Sequence, residues 1–481
     1  MVTAKHISLG KKKLHSLNWV RKLFPKLSMA LNLQFLVVLA KNRFFLQRGN
    51  MKEEQKMHKV LRSVHLWGIA VGLVISGDYF GWNFGWSHAS FWEFSFAVVW
   101  IATFYVLFAL CFTELAASIP QSGGPSAYAK RALGDLFGLF TGYLVLVEFL
   151  LAPPAIASAL GGYIHFLFPV IPAFGAGIVM FCLLLLINLT GIKQTARFEL
   201  LVTIVAVFGL LLYLVFLWPH VSFDRIPKFP LVSSISWSSV FLSIPFAIWF
   251  FLAVEGVALA SEEVRNPARD IPIGYTAGIF TLLCLAGLIF VFTASVVDTK
   301  EISVLDYPLS YVLQKLYGTE VIWPFLFTFI GLFGLVASLF GIILGNSRLI
   351  YAMAKEGYLP TYLSKLSYGS LVPQNAVLSG GALGILCMCF LDTAELITIS
   401  ALGACGMYLL SLVSYFVLRK KEPQMPRPYK APLYPILPGL ALVLGIVACG
   451  SVFVSKPYLA LGVLGFGLVL GIGYYFKNRK N

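Results

Sequence analysis

Charge is what this sequence has least of. Asp, Glu, Lys and Arg together make up 12% of its 481 residues, whereas 59% are hydrophobic. Ordinary soluble domains carry about 25% charged residues, so this chain cannot cover a water-facing surface. Also absent are a glycine-rich phosphate loop, a hydrolase elbow and a zincin histidine pair. No nucleophile or metal set stands out, which argues against an enzyme. The seven cysteines all fall in apolar runs, where Cys behaves as a small apolar residue, and they imply no disulfide framework. Cys387 and Cys389 form a CxC, but a metal would need further ligands nearby.

What the chain has is long apolar runs. Twelve are each long enough, at roughly 20 residues, to cross a hydrocarbon core of about 30 Å. They cover 64–86, 92–117, 136–166, 173–192, 198–218, 237–260, 273–297, 321–346, 374–391, 397–418, 434–454 and 457–476. The expected fold is an all-α integral membrane protein. The net charge of +15 is no sign of nucleic acid, because residues 1–62 alone hold 14 Lys/Arg against 2 Glu. With both termini in the cytoplasm, 31 of the 36 Lys/Arg fall on that side, as the positive-inside rule requires. Only Arg225, Lys228, Lys300, Lys315 and Lys456 remain on the other.

Three parts are expected: a basic cytoplasmic extension over 1–60, a core of ten spans over 61–420, and a cytoplasmic loop with two more spans over 421–481. The extension mixes the KKK of 11–13 with LSMALNLQFLVVLA at 27–40, too short and interrupted for a span. It reads as a membrane-surface arm or an upstream extension, since Met51 or Met57 would also serve as a start.

Spans one to five and six to ten correspond, because the first of each set is interrupted by polar and small residues. Five is odd, so a second copy enters from the opposite side, giving a 5+5 inverted repeat. The interruptions are SGDYFGWNFG at 76–85 and PFAIWFFLAVEGVALASEE at 245–263. Interrupted helices at matching places in two halves point to a substrate site at the bilayer midplane.

Three acids lie deep inside spans, away from their ends: Asp78, Glu148 and Glu255. A carboxylate at that depth costs about 2.5–3.5 kcal/mol on insertion scales, and no Lys or Arg lies at comparable depth to pair with it. The missing positive charge is then a substrate, a metal ion or a proton. Alternatively each acid is protonated and acts as a hydrogen-bonding tie between helices. Asp78 ranks first because Gly77, Gly81, Gly85, Ser76 and Asn83 around it favour unwound backbone, tolerated at depth only beside protein or a water-filled cavity. Glu148 precedes Pro153 and Pro154, which leave the carbonyls of Phe149 and Leu150 without helical donors.

TELAASIPQSGGPSAYAKRALG (113–134), SEEVRNPARDIP (261–272), NSRLIYAMAKEGYLP (346–360) and KKEPQMPRPYKAPLYPILP (420–438) closely resemble the amino acid, polyamine and organocation permease superfamily. The resemblance runs from about residue 60 to near the end. It implies a LeuT-type fold of twelve helices, alternating access, and a central site between the broken first and sixth helices. The two interruptions and EFLLAPPAIA (148–157) look most like the ethanolamine permease branch.

In the superfamily's amino acid carriers the first break is usually glycine-rich, and its free N–H groups hold the substrate carboxylate. Here Asp78 stands there, and it would repel a carboxylate and attract an ammonium. The resemblance thus implies a secondary transporter that imports a small amine, ethanolamine foremost, with a zwitterionic or cationic amino acid as the alternative. Expected substrate contacts are Ser76, Gly77, Asp78, Asn83, Glu255 and the aromatic wall of Trp249 and Phe250. Glu148 and Glu255 are candidates for carrying a coupling proton. Proton-coupled members often carry a lysine in the fifth span, but ELLVTIVAVFGLL (199–211) has none, so H+ and Na+ both remain open as coupling ion. No other cofactor is expected, and the partners are the substrate and membrane lipid, with no nucleic acid. The expected location is the plasma membrane, or the inner membrane of a bacterium. A channel or a ligand sensor are the competing classes.

Overall fold

A computed structural model describes residues 59–189, 192–367 and 372–478. The basic segment read as an arm or extension lies outside the described residues. Within them the chain is helical, apart from one short bridge between Leu61 and Val264.

In order, the helices are α1 (Ser63–Val74), α2 (Ser76–Tyr79), α3 (Phe91–Ser118), α4 (Pro125–Leu133), α5 (Asp135–Leu167), α6 (Ala173–Asn188), α7 (Ile192–Leu217), α8 (Trp237–Trp249) and α9 (Gly256–Leu259). They continue with α10 (Pro267–Val296), α11 (Thr299–Ile302), α12 (Pro308–Tyr317), α13 (Ile322–Lys355), α14 (Gln374–Phe390), α15 (Thr393–Lys421), α16 (Ile436–Ser455) and α17 (Pro457–Asn478). Eight are long and apolar enough to cross a membrane, and the four shorter apolar ones, α1, α6, α8 and α14, bring the total to the twelve expected. The α3 helix, 28 residues long, reaches about 42 Å at 1.5 Å per residue, enough to span the hydrocarbon.

Two of the twelve are interrupted, as the sequence foretold. The expected first span is divided into α1, α2 and the 3-10 turn Trp82–Ser87, and the expected sixth into α8 and α9. Each opens a set of five spans. By contrast α5 runs through Pro153 and Pro154 as one helix of 33 residues. Its neighbours α6, α13, α14 and α15 pack around it, while α1, α3, α8 and α10 form a second group. The broken helices thus lie where α1 also meets α7 and α13.

The basic end of the bundle is tied by ion pairs. Glu263 meets Arg348 at 2.6 Å, both nearly buried, and this explains why α13 continues past the apolar run that ended at 346. Glu262 accepts from the Ser122 amide and hydroxyl at 2.8 Å each. Glu114 accepts from the Arg419 guanidinium at 2.5 Å and from the Ala431 amide at 2.8 Å, which fixes the loop after α15 onto α3. Removing one partner of such a buried pair costs about 3–5 kcal/mol.

Candidate functional site between the broken helices

The first break follows from its residues. After α2 the chain is extended at Phe80 (φ −160°), then Gly81 takes φ +92°, which only glycine adopts without strain. In the second break, regular helical bonding stops after Trp249. The Phe251 amide closes on the Ile248 carbonyl at 2.9 Å and the Gly256 amide on the Ala253 carbonyl at 3.1 Å. Between them Ala253 sits at φ +71°, a left-handed conformation unusual for a residue with a Cβ.

The breaks press against each other. A Cβ on Gly77 would stand 2.2 Å from the Trp249 carbonyl oxygen, and one on Gly81 2.2 Å from Trp249 Nε1. Around this junction Trp249 packs edge-on to Phe80 at 5.5 Å, and Phe250 stacks on Trp82 at 5.2 Å. Ser76 donates its amide to Ser338 Oγ at 3.0 Å, and that hydroxyl donates to the Gly72 carbonyl at 2.7 Å, tying α1 and α2 to α13.

Two of the buried polar groups in the breaks that lack partners among the described residues come one from each helix. Asp78 is fully buried and neither carboxyl oxygen has a hydrogen bond. The second is the indole N–H of Trp249, also buried and unpaired. An acceptor and a donor, one from each broken helix, are thus buried without a partner. Asn83 is different: its oxygen accepts from the Gly81 amide at 2.9 Å and its amide donates to the carbonyls of Ile302 at 2.6 Å and Leu305 at 2.9 Å. It holds the outer part of the first break against the α11–α12 segment.

Glu148 and Glu255 come together, apart from Asp78. Their carboxyls are neighbours, and Glu148 Oε2 and Glu255 Oε1 have no hydrogen-bond partner among the described residues. Glu148 Oε1 accepts the Ala253 amide at 3.0 Å, and Glu255 Oε2 accepts the Tyr408 hydroxyl at 3.0 Å. Tyr408 in turn shares a 3.0 Å hydrogen bond with Tyr105.

Three groups escaped the sequence reading. Tyr105 and Tyr408 look like ordinary apolar-helix aromatics until their hydroxyls are placed. Glu199 stands at the start of the fifth apolar run, yet it is buried with Oε1 unpartnered. A Cβ on Gly341 would lie 2.7 Å from that oxygen and one on Gly72 3.6 Å from it, so Glu199 sits where α1, α7 and α13 meet. The available signal was an acid followed by an unbroken apolar run.

The model of the amino acid permease family matches residues 61–474, which includes both breaks, the glutamate pair and Glu199. The chain belongs to the amino acid permease family. This permease is 26% identical over 414 residues to the branched-chain amino acid permease of Bacillus subtilis, covering 80% of this chain and 85% of that one. It is 27% identical to the serine/threonine exchanger of the same organism, over 77% of this chain and 85% of the exchanger. An uncharacterized transporter of Rhizobium meliloti is 25% identical over 88% of this chain and 93% of its own length. The permease is a multi-pass membrane transporter and not an enzyme.

Proposed function

We propose that this permease imports a small primary amine that bears a neutral hydrogen-bond acceptor and no carboxylate, ethanolamine being the simplest. The observation that carries the reading is Asp78, a buried carboxylate with both oxygens unpartnered between the two breaks. An ammonium supplies the missing charge and donors. The free indole N–H of Trp249 suits a hydroxyl oxygen. Phe250 and Trp249 add an aromatic wall that favours a cation. A substrate carboxylate placed there would face Asp78 at short range in a medium of low dielectric, which is repulsive.

Transport is by alternating access across the plasma membrane, with both termini cytoplasmic, as the distribution of Lys and Arg supports. The Glu148–Glu255 pair is the candidate for carrying a coupling proton, since two buried carboxyls stand side by side against the second break; sodium is the other ion for the gradient experiments to weigh. The second reading, an amino acid substrate, is favoured by the names of the Bacillus subtilis relatives.

Asp78→Asn tests the assignment. A hydrogen bond to a charged group contributes about 2–3 kcal/mol, so apparent affinity for ethanolamine should fall by roughly 30- to 150-fold while the protein stays folded. Unchanged affinity in that variant would remove Asp78 from the site.

A further inference from the structure

Ala253 poses a problem that the transport reading does not absorb. It is one of two non-glycine residues at positive φ among the described residues, and it stands at the centre of the break between α8 and α9. Left-handed backbone is disfavoured for any residue with a Cβ, so something must hold it there. Its amide is the group that Glu148 Oε1 accepts, at 3.0 Å and fully buried.

Glu148 is itself held rigidly. Ser400 of α15 donates its hydroxyl to the Glu148 carbonyl at 3.0 Å. Gly403 of α15 lies so close that a Cβ there would stand 2.9 Å from the Glu148 amide nitrogen and 2.6 Å from the Leu144 carbonyl oxygen. The same helix supplies Tyr408, which holds Glu255 Oε2 at the far side of the break. Thus α5 and α15 present two anchors, and the unwound turn 250–255 hangs between them.

We propose that Glu148 is a positioning residue that acts through Ala253. Its Oε1 fixes the left-handed turn, and so sets which backbone groups and which face of Trp249 the break offers to the substrate. The proposal rests on the transport reading for its consequence, though not for its geometry. It separates the two oxygens of Glu148: Oε1 belongs to the backbone, and Oε2 is left to Glu255. A glutamine satisfies both demands, because its carbonyl accepts from Ala253 and its amide donates to Glu255. Glycine at 253 removes the need for the clamp altogether, since it adopts positive φ without penalty.

The test is an epistasis experiment on the full-length permease in proteoliposomes. Counterflow of labelled ethanolamine is measured beside amide hydrogen exchange of the peptide spanning 249–256. Glu148→Ala should speed exchange in that peptide and lower counterflow about tenfold, the size expected from losing a left-handed alanine. Glu148→Gln should keep exchange over 249–256 near that of the unmodified protein, and adding Ala253→Gly to Glu148→Ala should recover part of the counterflow lost in Glu148→Ala. If Ala253→Gly restores nothing, or if Glu148→Ala leaves exchange over 249–256 unchanged, Glu148 does not work through Ala253. Should Glu148→Ala fail to fold, Glu148→Leu, which fills the space but has no acceptor for the Ala253 amide, takes its place: exchange over 249–256 as slow as in the unmodified protein overturns the clamp. Failure of the substrate reading looks different. The unmodified permease would then show no ethanolamine counterflow, while the exchange comparison would still report on the clamp.

Discussion

Gly81 shows how much of the site depends on single residues. It combines φ +92° with a position where a Cβ would stand 2.2 Å from Trp249 Nε1. Gly81→Ala therefore carries a backbone penalty of about 1–3 kcal/mol and also pushes the indole from its place. A lowered melting temperature in detergent and loss of transport are expected. Gly287→Ala on an open face of α10, with nothing within 4 Å, should leave both unchanged. Equal melting of the two variants would show that the Gly81 conformation is not required. At this scale the sequence is informative where a residue is out of place chemically. Asp78, Glu148 and Glu255 are visible as acids in apolar runs. The unpaired Trp249 N–H, the Tyr408 hydroxyl and the left-handed Ala253 are not, because each depends on which way a neighbouring helix is turned. Glu199 was hidden by its place at the start of a run, where a surface carboxylate is the ordinary expectation.

At the scale of elements, the apolar runs give the spans directly, since crossing hydrocarbon demands about 20 apolar residues whatever the partner helices are. The end of α13 was less visible, because it is fixed by Arg348 meeting Glu263 from a segment some eighty residues earlier. The short helices α11 and α12 fall between the seventh and eighth apolar runs. They matter because Asn83 anchors the first break to them and because they flank Asp306. Burial pushes the Asp306 carboxyl up to about 6, the Asp392 charge adds to this, and a hydrogen bond from Thr393 works the other way. The folded state thus binds this proton more tightly than the unfolded chain. Its contribution to stability is fully present below the usual aspartate value and is lost as pH rises through about 6. Asp306→Asn removes the titration but keeps a hydrogen-bonding side chain. It should melt with the unmodified protein near pH 4 and above it near pH 7.5. A difference that does not change across that range would contradict the assignment.

For the whole molecule, the family match over 61–474 and twelve apolar helices agree with what the sequence foretold, including the paired breaks that open each set of five. The sequence could not show how the breaks meet. Gly77 meets the Trp249 backbone and Gly81 its indole ring, and the two glutamates from α5 and the second break become neighbours only once the sets are packed. Substrate choice is finer still, since the relatives with named substrates share only about a quarter of their residues with this chain. The most direct measurement is uptake of labelled ethanolamine by the purified permease in proteoliposomes, with excess leucine, serine or another small primary amine as competitor, and with proton and sodium gradients imposed separately. Saturable uptake that small amines suppress and neutral amino acids do not is the expected result. Uptake of leucine or serine that ethanolamine fails to inhibit would contradict an ammonium site without a carboxylate partner at Asp78.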